Sequence, residues 1–378
     1  MGDVASIVSG STPKTSVKEY WNGNFNWVTP AELNETTFVI YQTQRKITEK
    51  AINDTNLNPI PKGTVLLTSR APIGKVAIAG VDMYCNQGFK NLICSDMLHN
   101  KYLFWYLKGK TEYLNSLGRG ATFKEISKSI VENIEIPLPP IEIQKQIAKT
   151  LDTAAELLAL RKQQLAEMDQ LIKSVFYDMF GDPVVNEKGW VVRSVNDVCL
   201  KILGGGTPSK KNKEFYQGNI PWVTPKDMKS IRIHDSMDHI SEEALKNSSA
   251  TLIPSNSVLM VIRSGILKKS LPVAINTVAV TINQDMKAFI TNEQVVSDYL
   301  LYYFIFMQKY ILKYVRSVTA DNIDFDIIKN LKIPVPPLEL QNQFADIVTK
   351  IEEQKALVRK AIDETQMLFD SLMSQYFD

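Results

Sequence analysis

Residues 134–148 read IEIPLPPIEIQKQIA and residues 331–345 read LKIPVPPLELQNQFA, with 8 of 15 positions identical. In both places a Pro-Pro pair, Pro139-Pro140 or Pro336-Pro337, opens a run of nearly 40 residues without glycine or proline. Proline fits only the start of a helix, so each run predicts one long helix, at 141–180 and 338–378. Gly181 followed by Pro183 supplies the stop for the first. Apolar residues recur in alternating steps of four and three: Ile147, Leu151, Ala154, Leu158, Leu165, Met168, Ile172, Val175 and Met179. Phe344, Val348, Ile351, Val358, Ile362, Phe369, Leu372 and Tyr376 follow the same rule in the second run. That spacing keeps one narrow apolar stripe over about five heptads, which is a coiled-coil seam. Arg161 interrupts the first stripe, and Lys355 and Thr365 interrupt the second. A polar residue there either fixes helix register at some cost in stability or snorkels its charge out to water, and the sequence leaves both open.

The duplication extends beyond the helices. Residues 10–33, GSTPKTSVKEYWNGNFNWVTPAEL, return without a gap at 205–228 as GGTPSKKNKEFYQGNIPWVTPKDM, with 11 of 24 positions identical. Weaker echoes keep the same order: NQGFKNLI at 86–93 with NQDMKAFI at 283–290, and YLFWYL at 102–107 with YLLYYF at 299–304. Two copies of this length are a duplicated domain pair, not a solenoid, whose period is about 20–50 residues. Each copy therefore has a globular part, 1–140 or 181–337, and a helix. The globular parts carry short β-branched and aromatic runs such as GTVLLTSR and LPVAINTVAVTI, broken by Gly, Pro and Asn, with helical spacing near YLFWYL and YLLYYF. This predicts two similar mixed α/β domains. A helix of about 38 residues rises about 57 Å, too long to fold back inside its own domain. Antiparallel pairing of the two would give a pseudo-two-fold, circular arrangement with the domains separated by a two-helix rod.

Composition limits the function. With 44% apolar and 22% charged residues and 17 each of Gly and Pro, the 378-residue chain reads as a folded protein of two or three domains. No apolar run nears the roughly 18–20 residues of a membrane helix, and MGDVASIVSG has no signal-peptide pattern, so a cytoplasmic protein is expected. Cys85, Cys94 and Cys199 show no disulfide or zinc spacing, and His99, His234 and His239 have no ligand-spaced companions. No nucleophile–histidine–acid constellation, P-loop or methyltransferase motif is present, so the chain is expected to be catalytically silent. Net charge is +2, split as +3 and +4 on the globular parts and −1 and −4 on the helices. Modest basicity confined to the globular parts is compatible with contact to a nucleic-acid backbone.

The duplicated TP…YW.G…WVTP opening, the NQG-like strand, GATFKEI at 120–126, the IPLPP helix entry and MFGDP at 179–183 together resemble the specificity subunit of type I restriction-modification systems. The resemblance spans essentially the whole chain. It implies that 1–140 and 181–337 are target recognition domains, each reading one half of a split, asymmetric site in double-stranded DNA. It implies also that 141–180 and 338–378 are spacer helices that dock two adenine-methyltransferase subunits, to which motor-nuclease subunits add. S-adenosylmethionine, ATP and Mg would then belong to those partners, with no cofactor, metal or membrane on this chain. The second copy has a lead-in at 189–198, GWVVRSVNDV, where the first begins only at Gly2-Asp3-Val4. The first domain is thus expected to lack an opening strand or turn, through a misplaced start or a piece supplied elsewhere.

Candidate DNA contacts follow from charge and position. Lys210, Lys211 and Lys213 form a basic turn beside Gly204–Gly206, with Lys14 and Lys18 in the matching segment of the first copy. Arg70 and Arg263 are equivalent, as are Arg119 and Arg316, which precede Thr122 and Thr319. Such repetition favours phosphate or framework roles, because base-reading residues should differ between domains. Lys268 and Lys269 lie in an insertion of the second copy and are better candidates for half-site-specific contact, with Lys75 and Lys124 behind them. Trp27 and Trp222 read as framework. Competing readings are a related specificity component without a motor, a coiled-coil scaffold with protein-binding end domains, and an enzyme.

Overall fold

The computed structural model describes residues 1–34, 36–70, 72–120, 124–317 and 321–378. The chain forms two compact units, Met1–Lys162 with Lys360–Asp378, and Gln163–Arg359. Both long helices are continuous, Ile141–Phe180 and Leu338–Phe377, and each gives one half to each unit. Unit limits therefore fall inside the helices and not at 140, 180 and 337, because the ends of both helices are packed into globular cores. Ile147, Ala148, Leu151 and Phe377 are buried in the first unit's core, and Ile172, Phe176, Phe180, Phe344 and Val348 in the second's.

Each unit repeats one topology. In the first, a five-stranded sheet runs in the order Ala5–Ser9, Lys90–Cys94, Val65–Leu67, Val76–Ala79, Val39–Ile40, antiparallel except for the last pair. The second has Cys199–Gly204, Met286–Thr291, Val258–Val261, Val273–Asn276, Arg232–Ile233 in the same order and sense. A three-stranded sheet flanks each, centred on Trp21–Val28 or Ile220–Val223. The helix Asn100–Gly109 buries Tyr102 to Leu107 in a row, and Ser297–Ile311 buries the matching residues Tyr299 to Phe304. Such all-round burial is why the helical periodicity of YLFWYL and YLLYYF is blurred. Tyr102 and Tyr106 donate their hydroxyls to the carbonyls of Pro137 and Glu135, and Tyr299 and Tyr303 do the same to Pro334 and Lys332.

The units differ where the sequence predicts a missing strand. In the second, Val191–Ser194 pairs antiparallel with Lys332–Val335. The matching residues of the first, 135–138, have no strand partner among the described residues, and the Met1 ammonium donates instead to the Ile134 carbonyl at 2.7 Å.

Within each unit the two helix segments pack antiparallel along the expected stripe. Ile147 and Leu151 lie with Tyr376 in the first unit and Ile172 with Phe344 and Val348 in the second, and the off-stripe Phe377 and Phe176 join them, Phe176 edge-on against Phe344. Leu158, Leu165, Val358 and Ile362 are half-buried, as in a two-helix pair with no third layer, whereas Ile351 and Phe369 gain extra cover from the globular cores. The polar interruptions stay inside the seam. Arg161 donates through Nη1 to the Ala361 carbonyl and the Thr365 hydroxyl. Lys355 is 5% exposed and its ammonium pairs with Asp169 across the seam at 2.6 Å and with Glu352 on its own helix. Both thus serve register, not snorkelling. Lys355→Ala leaves Glu352 with Arg359, 3.8 Å away, and a long bond from the Tyr302 hydroxyl at 3.4 Å, and opens a void, which should cost about 1–3 kcal/mol in denaturant unfolding. Lys355→Ala at native stability would show that the ammonium is not held in the seam.

Candidate nucleic-acid interface

Backbone hydrogen bonds assemble one edge of each unit from segments far apart in sequence. In the first unit Ser11 N–H donates to the Cys85 carbonyl, Thr12 bonds Gln87, and Ser69 N–H donates to the Gly88 carbonyl. Ile126 N–H then donates to the Ser69 carbonyl, and Glu125 exchanges bonds with Arg119. The second unit repeats the chain of neighbours. Gly206 N–H reaches the Ile282 carbonyl, Thr207 bonds Gln284, Arg263 N–H reaches the Asp285 carbonyl, and Ile323 N–H reaches Ile262. The repeated NQG and NQD turns are therefore the hinge pin of this ridge, holding the glycine-rich segment on one side and the arginine strand on the other.

The ridge brings together the paired arginines of each unit, and most of the other sequence candidates are exposed. Lys14, Lys18, Arg70, Arg119 and Lys124 are exposed in the first unit, and Lys210, Lys211, Lys213, Arg263, Lys268, Lys269 and Arg316 in the second. Arg70 and Arg119 flank Glu125 as direct cross-strand neighbours, and Arg263 and Arg316 flank Asn322 in the same way. Directly opposed residues share a sheet face, so each unit presents an Arg–X–Arg row. Lys268 lies 3.6 Å from Asp321, and Arg316 3.7 Å from Asp324, both still largely in solvent. Lys75 is not among the exposed candidates: its ammonium is half-buried and donates to the Leu33 carbonyl at 2.7 Å, which commits it to the fold. Thr122 and Thr319 lie outside the described residues.

Several participants escaped the sequence reading. Glu125 binds Arg70 Nε at 2.9 Å and Lys90 Nζ at 3.2 Å. Burial alone would raise the Glu125 carboxyl, but these two cationic partners hold it below the ordinary carboxylate value. Asp285, which stands where the first copy has Gly88, lies 3.8 Å from Arg263. Arg45 lies over the rings of Trp21 and Trp27, 3.8 and 5.0 Å from their centroids, and lines a shallow cleft with Lys18 and Lys46. The NQG/NQD difference was a visible signal for Asp285; Arg45 had none, because in the second copy Asp238, next to the matching strand His239–Ile240, stands in its place.

Trp27 and Trp222 are buried framework, donating through Nε1 to the carbonyls of Ser11 and Gly206 at 3.2 and 3.0 Å. Burial pushes the thiols of Cys85, Cys94 and Cys199 up to about 12, the wrong direction for a nucleophile. Among the described residues no three His, Cys, Asp or Glu side chains gather as a metal set, and no helix is long and apolar enough to cross a membrane.

Comparison with known proteins places the geometry. The type I restriction modification DNA specificity domain matches residues 1–170 and 187–366. The MjaIX type I restriction enzyme specificity subunit of Methanocaldococcus jannaschii is 32% identical over 397 residues, covering 98% of this chain and 90% of that protein. The EcoR124I/EcoR124II specificity subunit of Escherichia coli is 36% identical over 236 residues, covering 60% of this chain and 57% of its own. Among solved structures, the S subunit of a type I restriction-modification system from M. genitalium superposes with a TM-score of 0.64 at 16% identity, covering 100% of this chain and 94% of that one. A chain from a structural study of complex assembly and conformational transition in the type I system gives 0.59 at 20% identity, covering 100% and 96%. The duplicated α/β fold, the paired helices and a family match over both copies lead to one assignment: the chain belongs to the type I restriction-modification specificity subunits, the non-catalytic, DNA-recognising component of those systems.

Proposed function

We propose that the two units read the two halves of a bipartite, asymmetric site in double-stranded DNA, and that the chain docks two adenine-methyltransferase subunits, through which motor-nuclease subunits join. The observation that carries the first part is the duplicated ridge. Its backbone frame is the same in both units, while the exposed side chains on it differ, as two different half-sites require. Docking is supported by leucines that no core explains. Leu160 with Leu368 in the first unit, and Leu357 with Leu171 in the second, are 50–62% exposed and occupy equivalent positions on the two helices. Paired apolar residues left in water mark an interaction face, and two equivalent faces fit two copies of one partner. S-adenosylmethionine, ATP and Mg would be held by those partners, and the complex would work in the cytoplasm.

The test is co-expression with the cognate methyltransferase in a methylation-free host, followed by mapping of N6-methyladenine across the genome. A split motif that disappears when this chain is omitted is the expected result. A purified complex that methylates no motif would favour a scaffold whose end domains bind proteins.

A further inference from the structure

The two ridges diverge at one point where their frames coincide. In the first unit Glu125 is fixed at both oxygens, by Arg70 Nε at 2.9 Å and by Lys90 Nζ at 3.2 Å. The Lys90 side chain is 9% exposed, so this ammonium has been taken out of water to hold the carboxylate. Arg70 itself is 47% exposed. With Nε engaged, the guanidinium plane is set, and its two terminal nitrogens remain as a pre-oriented donor pair. In the second unit Asn322 stands in place of Glu125, and the Lys287 ammonium, equivalent to Lys90, lies 4.8 Å from the Phe325 ring centroid instead. There Asp285 faces a terminal nitrogen of Arg263, Nη1, at 3.8 Å. Equivalent arginines are thus held by opposite ends.

We propose that Glu125 is a positioning residue that holds Arg70 by Nε and presents its terminal nitrogens to the O6/N7 edge of a guanine in the half-site read by the first unit. This rests on the reading of that unit as DNA-recognising. A guanine edge and a phosphate both offer paired acceptors to such a fork. The guanine is favoured because phosphate contacts carry no sequence information and would be built alike in both units, whereas this support differs between them as the half-sites must.

The experiment uses the complex with its methyltransferase, reading the methylated motif and the affinity for duplexes substituted one base pair at a time. Glu125→Gln should lose about tenfold or more of the discrimination at a single G·C pair of one half-site, with the other half-site unchanged and the melting temperature lowered by the unpaired Lys90 ammonium. Glu125→Asp, which keeps the carboxylate, should retain part of it. Arg70→Lys, which lacks the fork, should lose discrimination at the same base pair. Should Glu125→Gln fail to fold, Arg70→Lys decides alone. An unchanged motif overturns the proposal, and so does equal weakening on every sequence with a shallower salt dependence, the signature of a phosphate contact. A native complex with no split motif removes the DNA-reading function, and this inference with it; a native split motif that Arg70→Lys leaves intact removes only the inference.

Discussion

Inserting one heptad between Gln163 and Gln164, and another between Lys360 and Ala361, should lengthen the spacer between the two half-sites by about three base pairs and leave both half-sites unchanged. Seven helical residues add about 10 Å, and DNA rises 3.4 Å per base pair, so about three pairs correspond to one heptad. Within the first unit Arg161 bonds Ala361 and Thr365, and within the second Lys355 pairs with Asp169, so neither insertion interrupts these antiparallel pairings. Both polar layers and both pairs of exposed leucines survive intact. A whole heptad also preserves the seam, since seven residues drift only about 20° from two complete turns. Methylation mapping of the co-expressed complex gives the spacer directly. An unchanged spacer would mean that helix length does not set half-site separation.

What was legible in the sequence is what repeats or is periodic. The heptads of Ile147 to Met179 and Phe344 to Tyr376, the stop at Gly181 and the order of the duplicated segments all reappear as elements with nearly the expected bounds. Gly181 adopts a φ of +80°, the left-handed conformation that ends a helix without strain only at glycine. The unit boundaries were not legible, because a heptad pattern reports which side of a helix is apolar and not what covers it. Phe176 looks like any off-stripe residue in sequence, yet it is fully buried among Tyr299, Phe306 and Phe344.

At the candidate site the limit is different. Lysines and arginines announce their charge but not whether it is already spent: Lys75, a candidate contact, donates to a carbonyl, and Lys90, which nothing in the sequence singles out, donates to Glu125. The carboxylates that orient the arginines come from distant segments: Glu125 lies 55 residues from Arg70, and no spacing rule links them. Comparing the two copies was the only route to Asp285 and Asn322, because a change of charge type inside an otherwise repeated segment points to a local exchange of partners.

Truncating Gln144 should lower the thermal midpoint of the first unit more than any surface change, by about 3–5 kcal/mol of stability. Its amide is fully buried in the first turns of the long helix. It accepts from His99 N–H at 2.8 Å and donates to the Met97 and Pro139 carbonyls at 2.9 and 2.8 Å. Gln341 repeats the arrangement with Val296 N–H and the carbonyls of Gln294 and Pro336. One side chain thus ties the turn before the buried helix to the Pro-Pro entry of the long one, the joint where a rigid helix must carry a globular domain. Gln144→Ala strands the His99 N–H and the Met97 and Pro139 carbonyls, part-buried groups that cost about 1 kcal/mol or more each when left unmade. Gln144→Glu separates this account from simple loss of packing. It keeps the volume, but sets an anionic oxygen against two carbonyls, so at neutral pH it should be as damaging as alanine. Protonation restores one donor, and part of the lost stability should return as the pH falls through the raised pKa of the buried carboxyl. If Gln144→Glu melts like the native chain at pH 7, the amide is filling space and not bonding, and the joint must be held by the tyrosine hydroxyls instead.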